Sequence, residues 1–155
     1  MALKPDMVIN QSDPINVTDA VAEAGYLAVL KAATGRAVGA GYNDAAKLVA
    51  PVSGTPASGT RVVGVYIGDV VNIDQTKQHR NFQKNFEAVV GEPVELLTDG
   101  WVVTNAVVGT PAAGDPAYIG ANSKFSASQT NSIPAVGWFE TAKDADGYAK
   151  VVISL

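Results

Sequence analysis

The residue types best suited to chemistry or charge recognition gather in one window, Asp74–Phe86, DQTKQHRNFQKNF. It holds Lys77, Arg80, Lys84, the sole histidine His79, and Phe82 and Phe86, two of the four phenylalanines, in a chain that is 17% charged with net charge −4. A histidine-centred triad needs a nucleophile and an orienting carboxylate converging on the ring. The immediate neighbours of His79 are instead cations and amides, which predicts no catalytic role. One histidine and no cysteine leave only oxygen ligands for a metal. The stretch DADG, Asp144–Gly147, opens like a calcium loop but lacks the acidic residue that closes one, and a tight hairpin accounts for it. The glycine-rich GRAVGAGYND, Gly35–Asp44, matches no dinucleotide fingerprint, and no phosphate loop ending in Gly-Lys-Ser/Thr occurs. The expectation is a protein with no catalytic residues, no metal ligands and no cofactor, and not an enzyme.

The totals narrow the remaining classes. An acidic chain is a poor coat for nucleic acid, because phosphate binding needs a basic surface or stripe. No apolar run approaches the roughly 18–20 residues that span a bilayer, and MALKPDMVINQSDP lacks the apolar core of a signal peptide. These features predict a soluble protein made in the cytoplasm, with neither nucleic acid nor membrane as partner. The hydrophobic share, 47% of 155 residues, suits a packed core, and without cysteine its stability must come from packing and association.

The elements that would position the basic window read as short strands. Met1–Val17 has two prolines and no period, and reads as an extended N-terminal arm. Its apolar cluster Met7, Val8 and Ile9 needs a surface to cover, on its own domain or a neighbour's. Residues 18–155 read as a single β-rich domain. Thr18–Gly35 stays divided between a helix, capped by Thr18 and ended by Gly35, and a buried strand. Val63, Val65 and Ile67 share one face of a strand. PVELL and WVVT read as a hairpin turning at Asp99-Gly100. AVGWFE and YAKVVISL flank the turn KDADG, with Ala149, Val151, Ile153 and Leu155 on one face. Trp101 and Trp138 sit within strands, where a core position is expected, the alternative being a sugar-binding face. GTPASGTRVVGVYIG and GTPAAGDPAYIG echo one another, as duplicated hairpins or as two uses of one turn chemistry. The fold class predicted is all-β, a small barrel or sandwich with the N-terminal arm and at most one short helix.

The C-terminal half carries a family resemblance. AGDPAYIG, then KFS, PAVGWFE and DADGYAKVVISL resemble the cement, or decoration, proteins of tailed-bacteriophage capsids, closely over Gly64–Leu155 and loosely over Met1–Ala50. The resemblance implies a virion structural protein on the outer capsid surface, a homo-oligomer with a trimer favoured, cementing neighbouring subunits of the major capsid protein. On that reading Lys77, Arg80 and Lys84, spaced to share one face of a helical turn, form a docking turn with His79, Phe82 and Phe86. Met7, Val8 and Ile9 are the other candidate contacts with capsid or sister subunit. A tail-tube or head–tail connector component, or a carbohydrate-binding module resting on the tryptophans, are the alternatives.

Overall fold

The computed structural model describes residues 2–31, 47–69, 87–88, 91 and 93–155. In chain order the strands are β1 (Leu3–Thr18), β2 (Ala22–Glu23), β3 (Leu27–Leu30), β4 (Lys47–Ala50), β5 (Val62–Asp69), β6 (Glu87–Ala88), β7 (Pro93–Thr104), β8 (Val107–Val108), β9 (Pro116–Ile119), β10 (Phe125–Ser126), β11 (Gly137–Phe139) and β12 (Ala149–Ser154). A 3-10 turn at Ala121–Ser123 is the one helical element among the described residues. The fold is all-β, as the strand-and-turn pattern predicted.

Ten of the strands join in one curled sheet, in the order β1-β4-β3-β5-β7-β12-β11-β9-β10-β8, and β1 pairs a second time with β7. That second pairing closes β1, β4, β3, β5 and β7 into a ring. The long strand β7 makes this possible. Its first half lies between β1 and β5, and its second half lies between β1 and β12. Beyond β7 the sheet curls into a half-barrel through β12, β11, β9, β10 and β8.

Two cores result, and β3, β5 and β7 lie between them. Leu27, Val65 and Leu97 are cross-strand partners, and all three enter the larger core with Val102, Phe125, Phe139, Val151 and Ile153. The adjacent residue on each strand, Ala28 after Leu27, Tyr66 after Val65 and Leu96 before Leu97, belongs to the ring's own core with Val49 and Val94. Val65 and Ile67 pack on the larger core, whereas Val63 packs against the ring core. Gly64 faces the ring side, where an added Cβ would stand 2.6 Å from Leu96 Cβ. Burial pushes the Tyr66 phenol up to about 12, with the Thr18 hydroxyl beside it pulling the other way.

Several expectations are settled by these pairings. Thr18–Gly35, as far as it is described, is strand and turn, holding β2 and β3. The hairpin expected at Asp99-Gly100 does not form, because β7 runs unbroken from Pro93 to Thr104. Gly100 serves a different need: β1 crosses so close that a Cβ there would lie 2.0 Å from the Val8 carbonyl oxygen. The final hairpin matches its reading, with Trp138 opposite Val152 and Phe139 opposite Val151. Ala149, Val151 and Ile153 are buried, but Leu155 lies past the last strand residue and is exposed. The echoed passages share one loop conformation, with left-handed glycines at Gly54 and Gly59 and again at Gly109 and Gly114. The strands that follow occupy separate places, β5 between β3 and β7, β9 between β10 and β11.

The residues read as an arm carry β1, whose antiparallel partner is β7 of the same chain. Its start is tied to the last hairpin, where Lys4 Nζ donates to Asp144 Oδ2 at 3.2 Å. Asp144 Oδ1 accepts the amides of Tyr148 at 2.8 Å and Asp146 at 3.0 Å. The Tyr148 amide foremost, then Lys4, hold the Asp144 carboxyl below its ordinary 3.8.

Two outcomes are expected. Gly109→Ala, in open space with φ +73, should cost about 1–2 kcal/mol for the left-handed backbone. Gly100→Ala should cost a further ~1–3 kcal/mol because the Val8 carbonyl must move; equal urea midpoints for the two variants would contradict the close approach. A carboxyl depressed in the folded state stabilises above its unfolded value and loses that effect as pH falls through the folded one. Asp144→Asn should therefore melt below wild type at neutral pH, with the gap closing in acid well below pH 3.8; a gap independent of pH would refute it.

Candidate protein-docking surface

The wide half of the sheet has one face on the larger core and one face outward, and alternation along each strand sets which residue goes where. Met7, Val102, Val151 and Phe139 are register partners facing the core. One residue along, Val8 pairs with Trp101, Trp101 with Val152, Val152 with Trp138, and Trp138 with Pro116. These five therefore form a continuous apolar row across β1, β7, β12, β11 and β9, on the face away from the core. Trp138 is 46% exposed and Val8 40%; Pro116 is exposed, and Trp101 and Val152 are half-buried. At about 4.8 Å between strands the row is roughly 19 Å long.

Both tryptophans thus correct the expectation of core positions. Their size and hydrophobicity suggested the interior, but strand phase decides, and Phe139, next to Trp138, takes the inward place. Trp101 is partly shielded by Lys150, whose ammonium sits 3.9 Å from the ring centroid and pairs with Glu140 at 2.7 Å. Lys4 stands in the same way 4.2 Å over the Tyr148 ring while bonded to Asp144. Lys150 and Lys4 are therefore each paired with a carboxylate within the chain while standing over a ring.

Of the candidate contacts read from the sequence, Met7 is half-buried against the larger core. Val8 lies in the row, and Ile9, 47% exposed, follows it opposite Gly100. Lys77, His79, Arg80, Phe82, Lys84 and Phe86 lie outside the described residues. Sequence reasoning missed the row itself, although phasing Trp138 against Phe139 and Val152 against Val151 would have turned it outward.

An open cleft of about 750 Å³ lies between β1 and the loops around Thr60 and Pro134, with Ser12, Asp13, Arg61 and Leu155 in its lining. The Ser12 hydroxyl donates to Glu95 Oε1 at 2.6 Å, which engages it with a carboxylate rather than a base of histidine type. Among the described residues no three His, Asp or Glu side chains converge as a metal site.

The chain matches, over residues 4–154, the phage family model described as structural cement protein (E217 gp24/Pam3 gp6). It belongs to the phage structural cement protein family. No curated protein sequence matches it. A cement protein decorates a capsid and joins its subunits, so its working surface is a protein contact and its place is the virion capsid. The match supports neither the tail component nor the carbohydrate module.

Removing Trp138 should be almost free for the fold. Trp138→Ala is expected to change unfolding stability by no more than about 0.5 kcal/mol, whereas Phe139→Ala should cost about 3–5 kcal/mol. Comparable losses for the two in chemical denaturation would put Trp138 in the core and dismantle the row.

Proposed function

We propose that this cement protein works as a homo-oligomer, with a trimer favoured, on the outer capsid surface, where it clamps neighbouring major capsid protein subunits. The observation that carries the reading is the family match along nearly the whole chain. A decoration protein that binds only the assembled shell stabilises that shell by its binding free energy. Symmetry repeats each contact, and an oligomer that engages several subunits at once converts modest contacts into firm attachment. The net charge of −4 suits a position outside, since an acidic protein repels the packaged genome.

Two sets of residues are the proposed contacts, Met7, Val8 and Ile9 on β1 and the basic window with Lys77, His79, Arg80, Phe82, Lys84 and Phe86. The rings supply apolar area, and the cations supply steering and register. Purified protein added to undecorated capsids is expected to saturate at a copy number comparable with the major capsid protein. Reversing Lys77, Arg80 and Lys84 together to Glu should weaken that binding at least ten-fold at low salt, with the difference shrinking as salt rises. A variant that folds and binds with unchanged affinity at low salt would remove the basic window from the interface. A wild-type protein that ignores capsids would remove the clamp altogether.

A further inference from the structure

We infer that the row Val8–Trp101–Val152–Trp138–Pro116 is where the protein seats on the capsid protein, against an apolar patch of its surface; this rests on the cement reading above. Three observations converge. The row is built from strand register across five strands, so its side chains are held in fixed order by the ladder and need little ordering on contact. It presents a tryptophan in the open, the residue type most enriched among binding hot spots. At its rim Lys150 is held within the chain, by Glu140 and over the Trp101 ring, so it leaves the row to apolar contact.

The size of the row selects the occupant. Its exposed apolar area is on the order of a few hundred Å², against the roughly 800 Å² per partner that a stable pair of proteins buries. A second copy held through this row alone would fall well short of that. A capsid lattice offers the same site many times to an oligomer, so a small anchor suffices there. Because the contact is apolar, attachment through the row does not weaken as salt rises, unlike attachment through the basic window.

The test is the double variant Val8→Ser, Trp138→Ser, both substitutions being at exposed positions. Wild type and variant are titrated onto undecorated capsids at low and at high salt, and each is sedimented alone. The expected result is at least ten-fold weaker capsid binding at both salt levels, with the oligomeric state of the free protein unchanged. Equal capsid binding overturns the inference. So does loss of self-association by the variant, which would assign the row to a second copy. Should the double variant fail to fold, Trp138→Ser alone carries the same outcomes. Failure of the cement reading shows instead in the wild type, as absence of capsid binding, and so is told apart from failure of the row.

Discussion

Three neighbouring strands, β3, β5 and β7, are wrapped on both faces, and the rest of the molecule is arranged around that burial. Leu27, Val65 and Leu97 look into one core, while Ala28, Tyr66 and Leu96 look into the other, and all six are at most 2% exposed. A strand in that position can carry no exposed polar face, and its backbone groups must be met by neighbours on both edges. The ring supplies those neighbours. With β1 paired to both β4 and β7, the sheet has no free edge on that side, and the interior is filled by side chains of graded size, from Ala28 and Val49 to Tyr66. The close passage of β1 over Gly100 is a condition of the closure, because a side chain there would hold the two strands apart.

The outer face is free to serve other ends because stability is secured inside. A row of large apolar side chains on solvent-facing strands contributes little to folding, and a domain stabilised by packing alone gains nothing by placing a tryptophan there. Its presence on a cement protein is what the proposed contact with the capsid protein would explain. The lysine stacked over Trp101 limits how much of that ring is open, which keeps the exposed patch small.

The parts of this fold that were legible in the sequence are those where one face meets water. In β12 the alternation of Ala149, Val151 and Ile153 with Lys150 and Val152 is plain, and its hairpin with β11 followed from the DADG turn. In β3 the same signal is erased, since Leu27 and Ala28 are both buried, and a helix and a strand read alike there. The hairpin expected at Asp99-Gly100 was misread because a glycine demanded by a distant strand resembles one demanded by a local turn; nothing within the window distinguishes them. The tryptophans were misplaced by weighing hydrophobicity above phase. Of the contact candidates, Val8 and Ile9 are exposed and Met7 is not fully so, and the basic window lies outside the described residues.

The pairing of β1 with β7 has a mechanical meaning. The two strands run antiparallel with partners from Leu3–Thr104 to Val17–Pro93, so a pull that slides one along the other loads many rungs together instead of peeling them singly. Resistance to such a pull is a matter of how fast the barrier is crossed and not of the equilibrium free energy. Because β1 is zipped lengthwise to the strand both cores share, such a load falls on the strand that joins the two halves of the fold.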